Sequence, residues 1–312
     1  KINKNIRISY FINISGIIES IYCLIYKKYS LVHIHYLGWH SLLSIFIKSK
    51  TKLVLTPWGS DILKNRNLLK NFWLRILFKK ADFLICDSER LETEAIKLGM
   101  NKNKTFISMF GVDTNLFKKS RKIFADKFIY KVGSNRKLEK IYDVLTFLEA
   151  AKEICKKRDD IYFYIAGNGS LKNIFIKFVM DNNLGKNIKF LGLLNKIEML
   201  EFYNEIDIYV STALSDGGLA ASIAEAMAFE RLVIVSDNSD NKLWVKNKKN
   251  GFLFETSNYK NLSRKILNSI DDKMQSIEIS KNSRHLIVKD YAYKKEMKKV
   301  ENKYLEILNK FE

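Results

Sequence analysis

The chain has 312 residues, 47% of them hydrophobic, which excludes a disordered polypeptide and is enough for two globular domains. Its 54 basic against 34 acidic side chains leave a net charge of +20, which favours anionic partners: a nucleotide diphosphate, an anionic membrane surface or nucleic acid. Cys23, Cys86 and Cys155 show no CxxC spacing, which excludes a disulfide framework and fits buried thiols in a reducing compartment.

No secretory signal is evident, and the apolar run from Ile8 to Tyr26 is broken by Asn13 and Glu19. It predicts a buried or interfacial helix rather than a membrane span. Leu31 to Tyr36 reads as a buried strand, with a further strand conceivable over Arg7 to Phe11. A helix is expected over Trp39 to Lys48, then a strand over Lys52 to Thr56 ended by Pro57, the only proline. Trp58, Gly59, Ser60 and Asp61 form a loop. An amphipathic helix follows with Leu68, Phe72, Ile76 and Leu77 as its apolar face. Ala81 to Cys86 is a strand, Ser88 caps a helix that stops at Gly99, and Thr105 to Ser108 is the next strand. The basic stretch Lys118 to Lys122 reads as a linker.

Beyond it the alternation restarts. Strands are expected at Phe128 to Val132, Ile161 to Ala166, Ile188 to Phe190, Ile208 to Ser211, Leu232 to Ser236 and Phe252 to Phe254, and a terminal helix over Tyr293 to Phe311. Strands alternating with helices predict an α/β fold: two Rossmann-like domains, each a parallel sheet flanked by helices. The division expected is 1–120, 121–290, and a helix over 291–312 packing back on the first domain. Ligands of such sheets sit at the carboxyl ends of the strands.

The richest stretch is Ile206 to Asp237, IDIYVSTALSDGGLAASIAEAMAFERLVIVSD: strand, small-residue loop, helix over Leu219 to Phe229, strand. Leu219, Ile223 and Met227 make one apolar stripe, so Glu225 falls on the opposite side with Ser222 one turn earlier. Gly217 and Gly218 let the backbone come close to a ligand at a helix N-terminus, a ready site for an oxyanion. VGSNRKLEKIYDVLTFLEAA from Val132, AGNGSLK at Ala166 to Lys172 and FLGLL at Phe190 to Leu194 precede it.

Together these segments resemble the donor-site signature of retaining GT-B glycosyltransferases, in particular family 4 (glycosyl transferases group 1). The common form there is SEGFGxxxLEAMAxGxPVV. The resemblance implies that Glu225 holds the donor ribose, and that Arg136 and Lys140, with Lys137 in reserve, grip the diphosphate. A departing diphosphate gains negative charge, and fixed cations stabilise it more than water does. The resemblance also assigns Gly133, the Gly167 and Gly169 turn, Leu191, Asp216, Gly217, Gly218, Leu219 and Ala220 to the donor pocket. Asp216 is the carboxylate nearest the family's first acid, but it stands nine residues before Glu225 where the pattern has eight.

His33 and His35 share a face of one strand. His35 matches the family's HxH segment, and HYLGWH with TPWGSDI fits a subgroup of it. His35, Trp39, His40, Ser60 and Asp61 are therefore assigned to the acceptor side. In the family the first domain opens with a strand and a Gly-rich loop. Nothing before Leu31 resembles that, and the chain does not begin with methionine, so a truncated or abridged first domain is expected.

No His/Cys/Asp cluster has metal spacing, and neither a metal nor a cofactor is expected. There is no GxSxG elbow for a hydrolase and no GxGxxG for a dehydrogenase. No basic helix carries interleaved aromatics, so nucleic acid is not an expected partner. The resemblance implies a cytoplasmic, metal-independent, hexosyltransferase-type enzyme, located at the inner face of the membrane. It moves a sugar with retention from a nucleotide diphosphate sugar to a hydroxyl of a cell-envelope glycan or lipid-linked acceptor. The alternatives are a nucleotide-sugar epimerase of the same fold, or a non-catalytic membrane- or partner-binding subunit on that scaffold.

Overall fold

The protein is described by a computed structural model over residues 14–63, 67–119, 121–125, 128–216, 218–238 and 240–309. The strand weighed for 7–11, and Gly217, lie outside these residues. The chain forms two compact units, residues 1–109 with 298–312, and residues 110–297.

The first unit contains α1 (Ile14–Tyr26), β1 (Leu31–His35), β2 (Lys52–Thr56), α2 (Ser60–Leu63), α3 (Leu68–Lys80), β3 (Phe83–Cys86), α4 (Glu89–Lys97) and β4 (Thr105–Ile107). Its four strands pair in sequence order, all parallel. Apolar β2 and β3 sit centrally, and Leu53, Leu55 and Leu84 pack with Leu74, Leu77 and Leu91 in one core. Ser88 caps α4, and Gly99 takes the left-handed conformation (φ +104°) just past its end.

Two expectations here are corrected. The helix expected over Trp39 to Lys48 is present but is two residues shorter and of the 3-10 type, Trp39–Phe46. Ser41 Oγ donates back to Gly38 O at 2.7 Å, and the Ser44 carbonyl is taken by Lys80 and by Ile47 N, so i→i−4 pairing is displaced. In α3, Leu77 is buried with Leu74 and Phe78, but Leu68, Phe72 and Ile76 are 88%, 66% and 43% exposed. The helix carries two apolar arcs, and spacing alone does not say which one meets the sheet.

The second unit contains β5 (Tyr130–Ser134), α5 (Val144–Cys155), β6 (Ile161–Ala166), α6 (Lys172–Asp181), β7 (Ile188–Gly192), α7 (Lys196–Glu205), β8 (Ile208–Ser211), α8 (Ala221–Ala228), β9 (Leu232–Ser236), α9 (Asn241–Trp244), β10 (Phe252–Phe254), α10 (Tyr259–Asp271) and α11 (Lys273–Asp290). The first turns of α12 (Tyr293–Asn309) also belong to it. The six strands are parallel in the order β10-β9-β8-β5-β6-β7. One face packs on Phe147, Phe175 and Leu262, and the other on Phe202, Ile223 and Met227. As the stripe on α8 predicts, Ile223 and Met227 are fully buried and Leu219 packs on the same cluster.

The division falls at 109/110 and not within the basic stretch 118–122. Val112 is hydrogen-bonded to Tyr291 O (2.9 Å) and accepts from Tyr293 N (2.8 Å), which ties the start of the second unit to its end. The basic stretch is strapped down within that unit. Lys119 pairs with Glu230, and Arg121 pairs with Asp207 at 2.9 Å. Arg231, fully buried, donates to the carbonyls of Phe229, Asn204, Ile206 and Arg121. Burial lowers the Arg231 pKa to about 10. Glu230 holds a left-handed conformation (φ +59°) at the position where the SEGFGxxxLEAMAxGxPVV pattern has glycine.

Candidate functional site

β5 and β8 lie side by side, yet the chain leaves them toward opposite edges of the sheet, β6–β7 on one side and β9–β10 on the other. Loops after such a pair diverge and leave a crevice at their carboxyl ends. The loop after β5 carries Asn135 and Arg136, and the loop after β8 leads to α8. Thr212 Oγ1 donates to Tyr142 O (2.8 Å) and Leu214 N to Ile141 O (2.9 Å), which stitches the two loops together. The loop after β6 is stitched to the first as well, by Leu138 N to Asn168 O (3.1 Å) and Ser170 N to Glu139 (2.8 Å). Glycine is needed there: a Cβ on Gly167 (φ +133°) would stand 2.6 Å from Arg136 O, and one on Gly169 would strike Leu138 O.

Arg136 crosses the switch point. Its guanidinium donates to Ser222 Oγ on α8 (2.8 Å), pairs with Asp216, and lies 4.5 Å from the Tyr142 ring centre. The Asp216 side chain is wholly buried, and that of Arg136 is 10% exposed. Burial works against both charges. It raises the Asp216 pKa even with Arg136 beside it, whereas for Arg136 the nearby Asp216 and tyrosine rings outweigh burial and the pKa rises. Arg136 Nε and Asp216 Oδ2 are buried with no hydrogen-bond partner among the described residues.

Glu225 is half-buried one turn after Ser222. It accepts from Tyr203 Oη at 2.8 Å, and the same hydroxyl reaches Ser222 O at 3.1 Å. Asn135 Nδ2 donates to Tyr203 Oη (2.7 Å), and Tyr209 Oη donates to Asn135 Oδ1 (2.8 Å). Burial raises the Glu225 pKa, the Tyr203 hydrogen bond working against it, and burial pushes Tyr209 up to about 12. One polar chain thus runs from β8 through the loop after β5 and through α7 to Glu225, in the same crevice as Arg136.

The other expected residues divide. Lys140 is exposed on a short 3-10 turn, Lys140–Tyr142, and has no ion-pair partner among the described residues. Gly218 (φ +152°), Leu219 and Ala220 lead into α8, which begins at Ala221, two residues later than expected, because Ala220 is still extended. Leu191 is half-buried against the cluster that holds Tyr203 and Met227. Gly133 lies inside β5, and a Cβ there would meet Ile206 at 2.7 Å and Phe202 at 2.8 Å. Packing of the α7 segment by itself requires a glycine there.

In the first unit, His35 and Ser60 are exposed and Trp39 is 89% exposed. The His40 ring bonds His35 O at 3.0 Å. Asp61 does not line an open surface as expected. It is buried, accepting from Leu37 N (2.7 Å) and Trp58 N (3.0 Å), and so clamps the loops after β1 and β2. His33 is held between Tyr304 and Thr56, and burial, with His35 beside it, lowers its pKa well below the usual value. Among the described residues no three His, Cys, Asp or Glu side chains converge as a metal site, and no helix is long and apolar enough to cross a membrane.

Tyr203, Asn135 and Tyr209, which no sequence pattern singled out, form the hydrogen-bonded support of Glu225 in this candidate site. Residues 112–286 match the family model for glycosyl transferases group 1, and residues 1–88 match that for glycosyl transferase 4-like proteins. The chain is 28% identical over 314 residues to the UDP-Gal:alpha-D-GlcNAc-diphosphoundecaprenol alpha-1,3-galactosyltransferase of Escherichia coli, covering 93% of this chain and 79% of that protein. Among solved structures, a glycosyltransferase from Rickettsia africae ESF-5 superposes with a TM-score of 0.77 at 17% identity, covering 97% of this chain and 84% of that one. Anabaena Alr3699/HepE, solved in complex with UDP and glucose, gives 0.78 at 17% identity, covering 94% and 82%. The likeness to these structures is one of fold: two parallel-sheet α/β domains of the GT-B type.

Proposed function

The chain belongs to the glycosyl transferases group 1 family, and from that premise we propose that its second unit binds a nucleotide diphosphate sugar at the β5–β8 switch point. The sugar passes with retention of configuration to a hydroxyl of a cell-envelope glycan or lipid-linked sugar. The acceptor class is drawn from the E. coli relative, whose name specifies a diphosphoundecaprenol-linked substrate. UDP in the Anabaena structure supports a nucleotide diphosphate as the donor half.

In this reading Arg136 and Lys140 hold the leaving diphosphate, and Glu225, fixed by Tyr203, holds the ribose. The amides around Gly218 to Ala220 add partial positive charge at the start of α8. Cations fixed where charge develops stabilise the transition state without reorganising. The leaving phosphate itself takes the acceptor proton, so no side chain is assigned as base. His35, Trp39, His40 and Ser60 are assigned to the acceptor.

The observation that carries the reading is Arg136, a guanidinium buried at the switch point and tied to the helix that presents Glu225. Isothermal titration with UDP and other nucleotide diphosphates tests it. Binding that weakens about 10- to 100-fold in Arg136→Ala and in Glu225→Ala is expected. Failure of every nucleotide to bind the wild-type protein would overturn it. Conversion of a sugar nucleotide to its epimer without acceptor would replace transfer with epimerisation.

A further inference from the structure

The exposed arc of α3 has no role in the donor site. Leu74, Leu77 and Phe78 anchor the helix to the first unit's core, and Trp73 Nε1 donates to Ser41 Oγ at 3.0 Å. These contacts fix which side faces outward. On that side Leu68, Phe72 and Ile76 follow one another at i, i+4 and i+8, with Leu69, 81% exposed, beside them. At about 100° per residue, Arg75 falls at the edge of this arc and Lys79 closes it off at the carboxyl end of the helix, and both are exposed. The sequence around the helix is strongly one-signed: residues 1–80 hold fourteen Lys and Arg side chains against two acidic ones, Glu19 and buried Asp61.

We propose that this arc of α3 docks the protein on an anionic lipid bilayer, with Leu68, Leu69, Phe72 and Ile76 entering the boundary between headgroups and acyl chains. Arg75 and Lys79 meet the lipid phosphates at its rim. An apolar stripe bordered by cations is the pattern of a helix that lies in the membrane interface. At 13 residues the helix is about 20 Å long, short of the roughly 30 Å hydrocarbon core. Charge selects the occupant. A second copy of this chain would bring two basic surfaces face to face, whereas anionic headgroups neutralise them. The inference extends the lipid-linked acceptor of the proposed function, but its readout is separate.

The test is co-sedimentation of the full chain with vesicles of phosphatidylcholine alone or mixed with phosphatidylglycerol. Wild type binds the mixed vesicles, and Leu69→Ser with Phe72→Ser binds them about tenfold less or weaker still. Arg75→Glu with Lys79→Glu loses the preference for phosphatidylglycerol. Both double variants keep the wild-type melting temperature and UDP affinity, because the buried arc and the second unit are untouched. Absence of vesicle binding by wild type, or equal binding by the apolar double variant, overturns the proposal. So does a wild-type dimer in sedimentation velocity that the apolar variant abolishes without any vesicle binding. Loss of UDP binding alone would instead remove the donor-site reading and leave this one standing.

Discussion

Replacing Asp216 with Asn separates the two roles that a carboxylate beside Arg136 can have. Asp216 is wholly buried, one oxygen on the guanidinium and the other without a partner among the described residues. Under the proposed donor role, an incoming diphosphate would therefore meet a cation already paired with a carboxylate. Two anions gripping one guanidinium from different edges lie roughly 6 Å apart, and at an effective dielectric constant of about 20–40 they repel by roughly 1.4–2.8 kcal/mol. Asn keeps the size and a hydrogen-bond acceptor but removes that repulsion. UDP should then bind about 10- to 100-fold more tightly to Asp216→Asn, with a steeper dependence on salt, as read by isothermal titration. A melting curve alongside guards against loss of fold. Unchanged or weaker UDP binding in a folded variant would refute the screening argument. If UDP binds as in wild type while only the sugar nucleotide is lost, Asp216 touches the sugar instead.

Burial raises the Glu225 pKa above its ordinary 4.5, so its contribution to stability is complete below that value and is lost as pH rises through the raised one. Glu225→Gln should therefore be more stable than wild type at neutral pH, on the order of 1 kcal/mol, with a flatter pH–stability curve, while binding UDP less well; chemical denaturation from pH 4 to 8 reads this, and a less stable variant at pH 7 contradicts it. Arg231→Met strips the donors from four carbonyls and should cost about 3–5 kcal/mol in a urea titration, a loss below 1 kcal/mol counting against a structural role. Gly169→Ala presses a methyl on the Leu138 carbonyl and should lose about 1–3 kcal/mol together with nucleotide affinity, so wild-type behaviour in both assays would exclude the close approach.

The strand–loop–helix rhythm and the segments around Arg136, Gly167 and Glu225 were legible because they are local. Parallel α/β sheets put the loops after their strands at one end, so three separate segments converge whatever their spacing. The Arg136–Ser222 bond joins two of them. The partners of Glu225 were not legible. Tyr203 sits on α7 among apolar neighbours, and it reaches Glu225 only because β5 and β8 are adjacent, a fact of strand order that no local pattern carries. Asp61 was misread for a related reason: a carboxylate in a loop after a strand suits a ligand, but here two backbone amides take it. The basic run 118–122 looked like a tether because composition does not reveal that Asp207, Glu230 and the Arg231 side chain wait for it.

The bridge between Val112 and Ala292 places the entry and exit of the second unit side by side. A polypeptide cut at 110 and 297 would have neighbouring ends, so it could be circularised by a short peptide, reopened at a surface turn, or carried as an insert in a host protein. Each of these would leave the β5–β8 crevice with its own scaffold.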